Sequence, residues 1–287
     1  MPSITNILTF DVEDWHQSTL DHDLPITGRV RDNTMRIMDM LAPAGIRATF
    51  FVLGLVAEKF PDLVRAIGVA GHEVATHGHS HRPVYEMTPD QFRADLRRSI
   101  VLIEQEAGER VVGYRAPDFS IPANTLWALE ILAEEGMRYD SSLFPFRGPR
   151  YGIDAPFTLP WRVRCKAAGL VEFPLTTTQY LGRRFPAGGG GYFRLLPYAH
   201  TRRAIVGMNL VGSPATAYFH PYEIDAEEIR LSTHRIPLRL RLSQGLGRRR
   251  TAGRLARLLR EFSWGTARDQ LTSEPSLTGD RRLDLTA

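Results

Sequence analysis

Apolar, β-branched-rich runs recur at Ile4–Phe10, Ala48–Leu53, His72–Thr76, Val111–Tyr114, Met137–Tyr139, Leu170–Leu175 and Ala215–Phe219, and they predict seven short strands. Helical spacing fills most of the gaps. Val30, Thr34, Ile37, Met38 and Leu41 share one face and stop at Pro43-Ala44-Gly45, and a second stripe predicts a helix over Leu55–Ile67. Thr88-Pro89-Asp90-Gln91 has the residues of a capping box with proline at the first helical position; Phe92, Leu96, Ile100 and Ile103 follow, and Gly108 ends the helix. A fourth helix is expected over Asn124–Glu135, before Gly136. Strand–helix alternation predicts an α/β chain of parallel strands joined by right-handed crossovers, with its chemistry at the strand C-terminal ends.

The periodicity fails over 144–164 and 176–198, which read as long functional loops. The four-glycine run in Pro186-Ala187-Gly188-Gly189-Gly190-Gly191-Tyr192 lacks the Lys-Ser/Thr of a phosphate loop. It reads either as a flexible lid or as a wall that substrate approaches closely. After Thr266 the chain turns polar and is expected to fray.

At 287 residues and 43% hydrophobic, the chain can bury the core of a one-domain α/β barrel. Its single Cys165 excludes an internal disulfide framework and reads as structural. The first residues carry neither the basic nor the apolar region of a signal peptide, and no apolar run is long enough to cross a bilayer, so a cytoplasmic location is expected. The net charge of +4 conceals an asymmetry: residues 229–260 hold ten arginines and no Asp, Glu or Lys, and the remainder is net negative. This stretch reads either as a solvated helix packed on the barrel or as a face that docks on anionic lipid, as a peripheral membrane contact, or on an acidic partner; nucleic acid is not the expected partner.

Chemistry-bearing residues end several of the strand runs. His77 and His81 lie four apart and would aim both imidazoles at one point if the segment turns helically, and the acidic cluster Asp11-Val12-Glu13-Asp14 offers a third metal ligand. Alternation puts Asp11 and Glu13 on one side, so one carboxylate can bind a cation while the other acts as general base; Glu13 is favoured over Asp14, and a bulge would reverse that. His79 reads as structural. Arg115, at a buried strand end, needs an ionic partner, for which Asp11 is the candidate. His220 should sit at the barrel mouth, with Asp140 holding its ring and raising its pKa.

With these residues in place, the chain resembles the polysaccharide deacetylases with a NodB homology domain, carbohydrate esterase family 4, over about residues 4–225. The family's Thr-Phe-Asp-Asp-Gly motif stands here as Thr9-Phe10-Asp11-Val12-Glu13-Asp14-Trp15, with the metal-binding acid displaced to Glu13 or Asp14. The phrases Asp-Val-Glu-Asp-Trp, Gly-Gly-Gly-Tyr-Phe-Arg and Phe-His-Pro-Tyr-Glu-Ile-Asp look most like the deacetylases of exosortase-linked exopolysaccharide clusters. The resemblance implies a distorted seven-stranded (β/α) barrel over 1–225, followed by a basic helical extension at 226–265 and a polar tail at 266–287. It implies a divalent cation, zinc by expectation, on His77, His81 and Glu13 or Asp14. Asp11 would be the base, His220 the acid, and Arg115 and Asp140 supporting catalytic residues. Pro117, Tyr192, Phe193 and Trp161 would contact substrate, an N-acetylated poly- or oligosaccharide. Allantoinase-like hydrolysis of a cyclic amide, or an inactive carbohydrate-binding scaffold, are the alternatives.

Overall fold

The computed structural model describes residues 4–146, 152–153, 158–272 and 282–284. Its strands are β1 (Thr5–Val12), β2 (Thr49–Val52), β3 (Glu73–Thr76), β4 (Gly113–Tyr114), β5 (Tyr139–Asp140), β6 (Trp161–Arg164), β7 (Gly169–Glu172), β8 (Thr177–Tyr180), β9 (Arg183–Pro186), β10 (Thr216–Phe219), β11 (Ser263–Gly265) and β12 (Arg282–Asp284). Its helices are α1 (Gly28–Leu41), α2 (Gly54–Lys59), α3 (Pro61–Val69), α4 (Pro89–Ala107), α5 (Trp127–Glu134), α6 (Gly190–Leu195), α7 (Tyr198–Leu210), α8 (Leu238–Gly245), α9 (Arg248–Glu261) and α10 (Ala267–Leu271).

All seven expected strands form. They lie in the order β10-β1-β2-β3-β4-β5-β7, every neighbouring pair parallel, as a curled half-barrel with helices on its convex side. The strand period sorts the side chains: Leu8, Phe10, Val12, Phe50, Val52 and Val74 join the layer shared with the helices, whereas Ile7, Phe51, Ala75, Tyr139 and Phe173 form a second cluster on the concave side. Polar Thr9 and Asp11 follow Ile7 on that inner face, which carries the chemistry toward the C-terminal end of β1.

The helix expected over Leu55–Ile67 is two helices, because Pro61 has no N–H to continue the ladder and the chain breaks at Phe60 (φ −129°, ψ 65°). The capping box forms at Thr88 and Gln91, and Gly108 closes α4 in the left-handed region. Much of the expected 144–164 loop lies outside the described residues; its end is β6, which pairs antiparallel with β7.

The 176–198 segment holds the β8–β9 hairpin and α6. Gly188, Gly189 and Gly190 are packed against Thr176, Thr216 and Tyr218 rather than forming a flexible lid. Between β7 and β10 the barrel is spanned by irregular hydrogen bonds, Thr176 N to Thr216 O and Tyr218 N to Gly188 O. A Cβ on Gly189, at φ +149°, would fall 1.7 Å from the carbonyl oxygen of Tyr218, so only glycine permits this approach.

The C-terminal stretch also joins the fold. β11 pairs with the first residues of β1, β12 pairs with β6, and α10 packs Ala267 into the inner cluster. There the buried Glu73 accepts from Thr49, Tyr139 and the backbone N–H of Arg268. Residues 229–260 contain α8 and α9 rather than one helix, and several arginines there point inward. Arg248 lies over Trp15 and Tyr222 and donates to the carbonyls of Tyr222 and Asp225, while Arg254 donates to those of Phe193, Arg194 and Leu196.

Candidate active site

Glu13, His77 and His81 meet in a buried cluster whose ligand atoms all lie within 4.8 Å of one another. Glu13 Oε2 is 3.2 Å from Nε2 of His77 and 2.6 Å from Nε2 of His81. The histidines converge through a loop, not through the helical turn expected from their spacing. Gly78 (φ +75°) and His81 (φ +60°) bend the backbone, and Asp95 on α4 ties it down by accepting from the N–H of His79 and Ser80 and from the Ser80 hydroxyl. His79 turns away toward α2, where Gly54 leaves it room: a Cβ there would sit 2.4 Å from its Nδ1.

The hydrogen bonds make this cluster a fit for a cation. Nδ1 of His77 lies 2.8 Å from the carbonyl oxygen of Arg115, which can only accept, so Nδ1 carries the proton. The lone pair of Nε2 then faces Glu13 Oε2, an acceptor opposing an acceptor, which is relieved by a proton or a metal ion between them. Burial disfavours the charged form of His81, but the charge and hydrogen bond of Glu13 outweigh it and raise its pKa. Burial would also raise Glu13; His81 and His77 instead hold its carboxyl well below the usual range.

Asp11 stands beside this cluster, also buried. Its Oδ1 accepts from Nη1 of Arg115 at 2.7 Å. Arg115 is fully enclosed: it also donates to Thr9 Oγ1 and to the carbonyl and hydroxyl of Ser141, and it lies 4.2 Å over the Phe51 ring. Asp11 Oδ2 faces Nε2 of His220 at 3.9 Å, and the same nitrogen is 3.8 Å from Glu13 Oε1. Tyr222 stacks on His220 at 4.8 Å between ring centroids and donates its hydroxyl to Glu13 Oε1.

Two expectations about acids are corrected here. Asp14 is not in the metal cluster: its carboxylate accepts from the N–H of His16 and Gln17 and from the N–H and hydroxyl of Thr27, so it shapes the loop after β1. Asp140 does not hold the ring of His220. It accepts from Ser142, whose hydroxyl also receives the Ala116 N–H, and it faces Glu172, which burial and the Asp140 charge push far above the carboxylate range. This pair buttresses the Arg115 loop from below.

The group against Nδ1 of His220 is Glu223, at 3.4 Å, which also accepts the His220 N–H and lies 3.6 Å from Nε of Arg194. The available signal was local: His220 and Glu223 stand at the first and fourth positions of a capping box with Pro221 between them. Burial would lower the pKa of His220, but Glu223, Glu13 and Asp11 together raise it to about 9.

The cluster opens into a cleft lined by Asp118, Tyr192, Arg194, Tyr222 and Gln244. Of the residues expected to contact substrate, Tyr192 lines this cleft. Phe193 is 1% exposed and packs 5.0 Å from Phe219; Trp161 is 1% exposed within the main core on β6; Pro117 is buried behind Gly78. These three are core residues, because the strand or helix face each occupies points away from the cleft.

An α/β half-barrel with a His/His/carboxylate cluster at its strand ends offers a donor set that could hold a metal ion. Residues 2–139 match the polysaccharide deacetylase family, and residues 141–272 match a domain of unknown function, DUF3473. The polysaccharide deacetylase match covers just under half of this chain. Curated relatives include a peptidoglycan-N-acetylglucosamine deacetylase of Bacillus cereus, 35% identical over 98 residues, 34% of this chain and 36% of that protein. A chitooligosaccharide deacetylase of Sinorhizobium fredii is 44% identical over 133 residues, 42% of this chain and 56% of that protein. The chain spans about a third of the length of the first curated relatives it matches. Over nearly its whole length it shares the fold of a putative polysaccharide deacetylase from Mycobacterium smegmatis, with TM-score 0.67, 22% identity, and coverage of 99% of this chain and 95% of that one. The two matched segments form one site: Asp11, Glu13, His77, His81 and Arg115 come from the first, and Arg194, His220, Tyr222 and Glu223 from the second. β1 and β10, one from each, pair directly.

Proposed function

We propose that this protein is a metal-dependent N-deacetylase that hydrolyses the acetamido group of amino sugars in a bacterial exopolysaccharide or its precursor. The observation that carries the reading is the opposition of Glu13 Oε2 to the Nε2 lone pair of His77, with the second imidazole of His81 at the same point. His77, His81 and Glu13 would hold the cation, zinc by the balance of nitrogen and oxygen donors. When bound, it supplies polarisation of the amide carbonyl and a lowered pKa for water.

The chain's own residues divide the proton transfers. Arg115 occupies Oδ1 of Asp11 and leaves Oδ2 facing the cleft, where it takes a proton from the attacking water. His220 presents Nε2 to the same space and, in its protonated form, gives the proton to the departing amine; Glu223 fixes its ring through Nδ1. Base and acid therefore flank one point at the floor of the cleft. Tyr192, at the cleft wall, is the candidate for stacking on a sugar ring.

The test is metal analysis of the purified protein with acetate release on N-acetylglucosamine oligomers and N-acetylated exopolysaccharide. About one equivalent of zinc and chelator-sensitive acetate release are expected; metal-independent release would remove the reading. A further result concerns pH. Loss of the His220 proton should set the alkaline limb of kcat/KM, and its pKa is raised by the carboxylates around it. Glu223→Gln removes one of these, so the limb should move to lower pH by about one unit or more. A pH–rate profile checks both the direction and the identity of the acid.

A further inference from the structure

The side of α8 turned away from the protein is apolar and ringed by cations. On its inner side Leu240 packs against the cluster of Trp15, Tyr222 and Ile229, while Ser243 and Gln244 reach the cleft. On the outer side Leu238 and Leu242, one helical turn apart, are 70% and 53% exposed, and Leu246 continues the line at 58%. Arg239 and Arg241 flank these leucines along the helix, with Arg235 before it and Arg249 after it, all exposed.

Most arginines of α1, α3 and α4 are paired. Arg31, Arg65, Arg93, Arg97 and Arg98 each meet a carboxylate. Among the described residues, no carboxylate forms an ion pair with Arg235, Arg239, Arg241 or Arg249, and residues 229–260 contain no acid to provide one. A line of leucines at the apex of a convex helix, bordered by unneutralised guanidinium groups, matches the depth profile of a bilayer whose anionic headgroups lie just above its acyl chains.

We propose that α8 and its flanking arginines seat this protein on an anionic lipid bilayer. Leu238, Leu242 and Leu246 enter the acyl boundary, and Arg235, Arg239, Arg241 and Arg249 meet the lipid phosphates. Because the same helix lines the cleft on its inner side, docking holds the cleft rim about one helix diameter, roughly 10 Å, from the headgroups. This geometry favours a substrate presented at a membrane surface. The docking itself does not depend on what the cleft hydrolyses.

The test is sedimentation of the full chain with vesicles of phosphatidylcholine, alone or partly replaced by phosphatidylglycerol. Binding is expected to the anionic vesicles, weakening as salt rises. Leu238→Glu with Leu242→Glu, and separately Arg239→Glu with Arg241→Glu, should each lower partitioning about tenfold or more. Circular dichroism and hydrolysis of soluble oligomers should be unchanged in both variants. No binding by the wild type, or binding that neither variant weakens, would overturn the proposal. So would a dimer in solution that the leucine variant dissociates in the absence of vesicle binding, or equal binding to soluble polyglutamate that the leucine variant leaves intact.

Discussion

Asp11→Asn is expected to lower acetate release by roughly 10²–10⁴-fold, the range of a lost general base, while the bound metal is retained. The atoms proposed to bind the metal belong to Glu13, His77 and His81, none of which the Asp11 side chain contacts by hydrogen bond, so metal stoichiometry should not change. Stability should fall as well. Asn still offers an oxygen to Nη1 of Arg115 but no charge, and the other recorded partners of this enclosed guanidinium are the neutral Thr9 and Ser141. Breaking a buried ion pair from one side costs about 3–5 kcal/mol, a large share of a domain's stability. Urea denaturation, metal analysis and an acetate assay on one preparation separate the two effects. Full activity in a destabilised variant would make Asp11 a structural counterion alone, and loss of metal would place it in the metal site.

Glu13→Gln is expected to weaken metal affinity by at least about 100-fold, since it removes the anionic member of a three-residue ligand set. The metal-free protein should also lose stability. In the wild type the ionised Glu13 carboxylate pairs with His81, and Gln removes that charge although its amide can donate to Nε2 of His77. The metal-free variant should therefore unfold at a lower temperature than the metal-free wild type. Zinc at one hundred times the wild-type Kd should stabilise the wild type by about 2.7 kcal/mol and the variant by no more than about 0.4 kcal/mol. Thermal melts with and without chelator measure all four states. A wild type whose melting temperature is indifferent to chelator and to zinc would remove the cation from this site.

Local patterns carried much of the architecture. The capping box at Thr88 and Gln91, the stop at Gly108 and the alternation of Ile7, Thr9 and Asp11 against Leu8, Phe10 and Val12 are fixed by residues within a few positions of one another. The same locality explains the errors. Phe193 and Trp161 look like sugar platforms in a string of letters, because an aromatic residue reads the same on a core face and on a cleft wall. Asp140 and Glu223 were equally available acids, and the pairing of Glu223 with His220 was concealed by a capping box whose first member was read only as a catalytic histidine.

The sequence alone determined the seven parallel strands of the half-barrel and helices such as α1 and α4, because burial of one face imposes a period that neighbouring residues display. It also determined which chemistry-bearing side chains stand at strand ends. Only the tertiary structure decided which of them meet. Glu13 rather than Asp14 reaches His77 and His81, because hydrogen bonds to Thr27, on the approach to α1, hold Asp14 away. Tyr222 reaches Glu13 from 209 residues along the chain, Arg115 reaches Asp11 from 104, and Gly189 closes the sheet against Tyr218. Such partners are chosen by the approach of distant backbone segments, and no periodicity within a segment records which other segment will arrive beside it.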